Sequence, residues 1–182
     1  MTTDPRQMTP EQLNTEAAIG VMGWEWRRWK PTQIPDSIAE WEHARNVVFL
    51  MKPQSSSWDS TEPADPASGV RRDSKEHEAM RQYWPHRSSV AWHAMLPPSP
   101  ATSIADAWEL VEKMASPASG CQWWLKLVQG PMWSFDFNWK DRDTNGFKAT
   151  WERNHTDPVS ACDVSAPRAI TIAAIMAKRE ER

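Results

Sequence analysis

Three segments of the chain show the periodicity of helices, in which apolar residues recur every three to four positions. Thr9 and Gln12 flank Pro10 in the arrangement of a capping box, which predicts a helix from about Pro10 to Ile19. A second helix is expected over 103–115 and a third over 169–177, the last apolar on most sides and therefore packed between other elements. One face of the second helix would carry Ile104, Ala107, Trp108, Val111 and Ala115.

Strands are predicted where apolar and polar residues alternate, or where turn-forming residues bound a short apolar run. Residues 47–51 are apolar throughout and predict a buried strand, and the alternation of Trp24 and Trp26 predicts the start of a strand near the surface. An antiparallel meander is expected from strands over 123–128, 133–139 and 147–151, with turns at Gly130-Pro131 and Asn145-Gly146. Short helical segments are expected over 36–45 and 75–83.

At 182 residues the chain has the length of one domain. Residues 53–69 are rich in Pro, Ser, Asp and Glu, which is typical of a surface loop, and the prolines of 96–100 form a rigid connector. We therefore predict a single domain over 1–182 with a loop-rich insertion at about 53–101. The elements predict the α/β class in its α+β form, an antiparallel meander sheet with helices packed on its faces as an α-β-α sandwich.

Tryptophan is the most unusual feature of the composition, because the chain holds 13 Trp against 4 Phe and 1 Tyr. Each large aromatic side chain buries about 150 to 250 Å², so these indoles exceed what a core of this size takes up. We expect the surplus at the surface, at an interface or in a pocket. We also expect a homo-oligomer, since association would hide the remaining apolar surface.

The charge and the cysteine content limit the classes of binding partner and the cellular compartment that we expect. The net charge of −3 and the pI of 6.0 argue against duplex nucleic acid, whose binding domains usually have a pI above about 9. Cys121 and Cys162 form no CxxC pair, which favours a reducing compartment. The N-terminal segment lacks a signal-peptide pattern, and no stretch approaches the roughly 20 apolar residues that span a bilayer. The expected location is the cytoplasm, without membrane contact.

One segment matches the calcium-loop pattern D-x-[DN]-x-[DN]-G-x5-E through Asp141, Asp143, Asn145, Gly146 and Glu152. Predicted strands flank it instead of helices, and Asn-Gly is typical of a hairpin turn, so we expect a turn here with a calcium site as the other interpretation. The five histidines show no paired metal spacing, and no G-x-S-x-G or Walker loop occurs. We predict no enzymatic activity, no metal and no cofactor.

Aromatic residues at alternate positions over 133–139 fit the core face of a sheet, or alternatively a platform on which bases stack. Tryptophans and arginines are also interleaved in two clusters. Guanidinium groups bind phosphate through paired donors and indoles stack on bases, so the clusters predict a site for an anionic, nucleotide-like ligand. The other interpretation of the first cluster is an edge strand with basic residues toward solvent. The candidate ligand-binding residues are Trp24, Trp26, Arg27, Arg28, Trp29, Arg81, Tyr83, Trp84, His86, Arg87 and Trp92.

A family resemblance rests on three segments: Val21-Met22-Gly23-Trp24 after the first helix, 107–114 on the second, and 166–170 at the start of the last. In this order they resemble the phage ABA-sandwich domain family over roughly 9–29 and 102–178, whereas 30–101 departs from a family pattern that is usually much shorter there. The resemblance implies helices on both sides of an antiparallel sheet and an origin in a bacterial virus. It implies no catalytic residues.

Together these features predict a non-enzymatic phage protein that binds and sequesters a small anionic, nucleotide-derived signalling molecule of host defence. The alternative is an interaction module that inhibits a host defence protein through exposed tryptophans, since Trp and Arg dominate interface hot spots. A third hypothesis, an enzyme that degrades such a nucleotide, would need a base such as His86 or His93.

Overall fold

The computed structural model describes residues 3–33, 46–55, 58–71, 98–116, 123–135, 144–153 and 156–181. They belong to two compact units, one made of Met1–Met22 with Pro98–Arg182 and one of Gly23–Pro97. The expectation of a single domain stays a prediction.

The elements in chain order are α1 (Pro10–Gly20), β1 (Glu25–Trp29), β2 (Val47–Met51), β3 (Thr61–Pro63), β4 (Val70–Arg71), α2 (Ile104–Ala115), β5 (Trp124–Pro131), α3 (Met132–Phe135), β6 (Asn145–Glu152), β7 (Val159–Asp163) and α4 (Ala166–Glu180), with single 3-10 turns at Pro5–Gln7 and Trp58–Ser60.

Helix α4 lies at the centre of the first unit, where α1, α2, β6 and β7 all pack against it. Its buried residues occupy several sides of the helix, and half of them are alanines, whose small side chains let neighbouring elements approach the backbone. These residues are Ala169, Ile170, Thr171, Ile172, Ala173, Ala174, Ile175 and Ala177. The prediction of a helix packed between other elements is confirmed.

Strands β5, β6 and β7 form an antiparallel meander in that order, and one face of it packs against the helices. Residues on this face pair across the strands as Leu125 with Trp151, Leu127 with Ala149, Trp151 with Val159 and Ala149 with Ala161. The indole Nε1 of Trp151 donates to the carbonyl oxygen of Ile170 in α4 at 3.5 Å. The predicted α+β class, with helices packed against an antiparallel meander, is confirmed.

Helices α1 and α2 begin as their capping residues predict. Thr9 and Gln12 form both hydrogen bonds of the capping box of α1, and the amide of Asp106 donates to Ser103 Oγ at the start of α2. The predicted inward face of α2 is wrong in part, since the buried stripe consists of Ala107, Leu110 and Met114. Two apolar stripes run along α2, and the tertiary packing selects one of them. Among the described helices, none is long and apolar enough to cross a bilayer.

The middle of the meander differs from its prediction. Gly130-Pro131 and Asn145-Gly146 are not turns; they pair with each other at the end of the β5–β6 ladder. The predicted strand over 133–139 is wrong over 133–135, where the chain forms α3, and its remainder lies outside the described residues. The third strand is β7, which the alternation did not predict. A Cβ on Gly130 would lie 3.0 Å from the ring of Phe135, so the space that glycine leaves lets α3 fold back.

The second unit contains the antiparallel strands β3, β1 and β2 in that order, and β4 adds a two-residue parallel pairing to β2. All five residues of β2 are buried, as predicted. The edge-strand interpretation of β1 is wrong, because β1 is paired on both sides. The loop predicted over 53–69 contains a 3-10 turn and β3 as well. The helical segments predicted over 36–45 and 75–83 lie outside the described residues.

Replacing Gly146 with alanine should destabilise the first unit by about 1 to 3 kcal/mol, because overpacking forces buried neighbours to shift. A Cβ there would collide with the buried side chain of Met132 and lie 2.8 Å from the carbonyl oxygen of Asp163. Gly20→Ala is the matched control, since a Cβ at the end of α1 meets Glu16 Oε1 at an ordinary 3.9 Å. Urea denaturation followed by far-UV circular dichroism measures both variants, and equal stability of the two would contradict this packing.

Candidate functional site

The structure describes five of the predicted ligand-binding residues, those in and just before β1. The other six, Arg81, Tyr83, Trp84, His86, Arg87 and Trp92, lie outside the described residues. Because side chains alternate between the faces of a strand, the clustered residues of β1 lie on two opposite faces of the sheet. Arg27 and Trp29 lie on one face, and Trp26 and Arg28 lie on the other.

Arg27 is a buried arginine whose guanidinium is held by its own chain. Nε donates to Thr61 Oγ1 at 2.7 Å, and Nη1 donates to Glu25 Oε2 at 3.2 Å. Nη2 donates to the carbonyl oxygens of Thr61 at 2.9 Å and of Trp58 at 3.2 Å. The guanidinium carbon also lies 3.7 Å from the centroid of the Trp58 ring, a cation–π distance. These contacts attach β3 and the 3-10 turn to β1.

This burial gives Arg27 a structural role. Releasing its guanidinium to bind a phosphate would take donors from the buried hydroxyl and carbonyl oxygens of Thr61, at about 1 to 3 kcal/mol each. The expectation that the basic residues of this strand face solvent is therefore wrong for Arg27. Sequence reasoning missed Trp58, which lies 31 positions from Arg27, because a contact made in the tertiary structure leaves no local pattern.

The indoles of Trp24 and Trp29 are also buried, with 9% and 2% of their surface exposed. The ring of Trp29 packs at 5.8 Å from that of Phe49 in β2, tilted by 48°. Both indoles are exposed too little to stack on a base from solution. As the structure stands, they belong to the packing of the second unit.

Trp26 and Arg28 lie on the opposite face of β1 and are more accessible. The side chain of Arg28 is 44% exposed, and its Nε donates to Glu62 Oε1 on β3 at 2.7 Å. Trp26 is partly buried and pairs across the sheet with Leu50. Of the five described candidates, these two are the least buried.

A second assembly of tryptophan and arginine lies in the first unit and was not predicted. The indole Nε1 of Trp123 donates to Glu181 Oε1 at 2.8 Å, and Arg153 Nη1 donates to the same oxygen at 3.1 Å. Lys178 Nζ donates to Glu181 Oε2 at 2.7 Å. The guanidinium carbon of Arg153 lies 5.2 Å from the centroid of the Trp123 ring. We call Trp123, Arg153 and Lys178 the carboxylate cage.

Several apolar side chains of the first unit are exposed on regular elements. Ile104 and Trp108, one turn apart on α2, are 47% and 48% exposed. Trp124 and Val128 are exposed on the face of β5 that points away from the helices. The predicted place of Trp108 on the inward face of α2 is therefore wrong, whereas Trp123 and Trp151 are buried in the core.

The calcium-loop pattern is not supported as a site. Asn145 and Glu152 stand at opposite ends of β6, and a strand rises about 3.3 Å per residue, so they lie roughly 23 Å apart and cannot bind one cation. Within the described ranges, no group of three or more His, Cys, Asp or Glu side chains is arranged to hold a metal ion. The predicted hairpin turn at Asn145-Gly146 is wrong as well, because these residues are paired in the strand.

A scan against protein-family models finds no match to this chain. Searches of curated proteins and of solved structures find no match either. The resemblance to the phage ABA-sandwich domain family therefore stays a prediction.

Arg27→Gln should destabilise the second unit by about 2 to 4 kcal/mol, because it removes the guanidinium donors to the buried hydroxyl and carbonyl oxygens of Thr61. Arg28→Gln, one residue away, removes the same charge from an exposed pair and should cost less than about 1 kcal/mol. Hydrogen exchange read by mass spectrometry over Val47–Met51 reports on this unit directly. Equal protection of that peptide in the two variants would show that Arg27 does not hold the sheet.

Proposed function

We propose that this chain is a non-enzymatic phage protein that binds and sequesters a small anionic, nucleotide-derived signalling molecule in the host cytoplasm. The observation that carries the proposal is the face of β1 that holds Trp26 and Arg28, where an indole and a guanidinium lie two residues apart. Trp26 supplies an aromatic surface and Arg28 a phosphate-binding fork. The phage setting comes from the sequence resemblance alone.

Arg28 can be released to a ligand at low energetic cost. Its ion pair with Glu62 joins two side chains that are 44% and 35% exposed, and such surface pairs contribute about 0 to 1 kcal/mol. A phosphate brings more negative charge and more acceptor oxygens than one carboxylate, so it would compete well for the guanidinium. The six candidate residues over 81–92 stay predicted ligand-binding residues on the strength of the sequence alone.

Calorimetry with cyclic nucleotides and ADP-ribose derivatives tests the proposal. Arg28→Gln should weaken binding of the best ligand about 10-fold, whereas Glu62→Gln should strengthen it about 3-fold by removing the competing carboxylate. Lys126→Gln removes a positive charge from the other unit and serves as the control. Absence of measurable binding of every nucleotide in the panel to the unmodified chain would overturn the proposal.

A second candidate function, inhibition of a host protein by direct contact, is favoured by the exposed side of α2. Ile104 and Trp108 form an apolar pair there, and the carboxylates of Glu109 and Glu112 lie exposed beside them. Large aromatic side chains of this kind anchor many protein interfaces. The partner that fits is a protein with an apolar pocket bordered by basic residues.

Trp108→Ser should abolish capture of such a partner without lowering thermal stability, because the indole is 48% exposed. Val164→Ser, at another exposed apolar position, is the control. Affinity capture from the host, followed by titration of the identified protein, measures the effect. Unchanged affinity of Trp108→Ser, or loss of binding equal to that in Val164→Ser, would argue against this face.

A further inference from the structure

We infer that the carboxylate cage is a phosphate-binding site that Glu181 keeps closed. The inference deepens the proposed function and rests on it, since it assigns a second anion site to the first unit together with a means of regulation. Trp123, Arg153 and Lys178 supply the donors, and the side chain of Glu181 stands where the ligand's oxygens would bind.

Three kinds of donor converge on one carboxylate. The indole N–H comes from the residue before β5, the guanidinium from the residue after β6 and the ammonium from the last turn of α4, so three separate parts of the chain build the cage. Both carboxylate oxygens are bound, at distances between 2.7 and 3.1 Å. The side chains of Arg153, Lys178 and Glu181 are 28%, 20% and 17% exposed, so the cage is shielded yet reachable from solvent.

The charges of the cage favour an anion with more than one negative charge. Arg153 and Lys178 bring two positive charges, whereas Glu181 brings one negative charge. A phosphate monoester carries about −1.5 to −2 at pH 7 and three acceptor oxygens, which matches the two cations and the indole donor better than a carboxylate does.

A shallow depression adjoins the cage. Lys178 lines it together with Arg179 and Glu16, and it is too small to enclose a ligand, so the remainder of a phosphate ester would stay in solvent. Arg179 is held there by Glu16 at 3.0 Å.

Glu181 is placed to act as an intramolecular competitor that a ligand can displace from the cage. It directly follows the last residue of α4, so its side chain can leave the cage without breaking the helix. A tethered carboxylate acts at an effective concentration of about millimolar or above, so it excludes weak monoanions and yields to an anion that binds the cage more tightly. Removal of its charge should therefore expose a site that the unmodified chain masks.

The test compares Glu181→Gln with the unmodified chain by calorimetry, with inorganic phosphate and adenosine 5′-monophosphate as probes. Glu181→Gln should bind both at least 10-fold more tightly, and adding Arg153→Gln should remove the gain. Glu180→Gln is the matched control, because it changes the charge of the neighbouring exposed carboxylate and should leave affinity unchanged.

No gain in Glu181→Gln, or an equal gain in Glu180→Gln, would overturn the inference. A lower melting temperature without any gain in affinity would show that Glu181 only stabilises the fold, and that result would also overturn the inference. If Glu181→Gln fails to fold, NMR on the unmodified chain decides: the Trp123 indole N–H resonance should shift with saturating phosphate and not with chloride at equal ionic strength. Nucleotide binding that depends on Arg28 would leave the proposed function standing even if this inference fails.

Discussion

Burial of α4 on several sides is the constraint on which the first unit depends. A helix with this many buried positions must be surrounded, and α1, α2 and the sheet supply its neighbours. Alanine at Ala173 and Ala174 keeps the contacts close, while the isoleucines fill the space between elements. Trp151 then ties the central strand to the helix through Ile170. The side of α2 that carries Ile104 and Trp108 and the face of β5 that carries Trp124 and Val128 do not pack in this unit and are exposed.

The second unit depends on a polar contact instead. Burying an arginine is costly unless its donors are satisfied, and Arg27 is satisfied by β3 and the 3-10 turn. The same contact removes the most obvious phosphate ligand of β1 from solvent. A tryptophan–arginine pair in a sequence is thus equally compatible with holding a ligand and with holding the protein's own backbone. The structure assigns Arg27 to the second role.

The carboxylate cage extends this comparison. Its tryptophan and arginine also bind an oxygen acceptor of the same chain, but here the acceptor is a side chain just beyond the last turn of α4 and not the backbone of a buried strand. Displacing Glu181 moves one side chain beyond the last turn of α4, whereas releasing Arg27 would take a donor from the buried carbonyl oxygen of Thr61. Because fewer buried contacts are lost when Glu181 leaves the cage than when Arg27 is released, the cage is the better candidate for a regulated anion site.

The sequence alone determined the elements whose cause is local. The capping box of α1, the apolar density of α4 and the continuous apolar run of β2 all act within a few residues, and each appears where it was predicted. The tertiary structure decided everything that depends on distant partners. The pairing of Gly130 with Gly146, the inward stripe of α2, and the contacts of Arg27 and Glu181 join positions far apart in the chain. No local pattern encodes such contacts, because the free energy of burying a donor or an apolar stripe depends on which surface meets it.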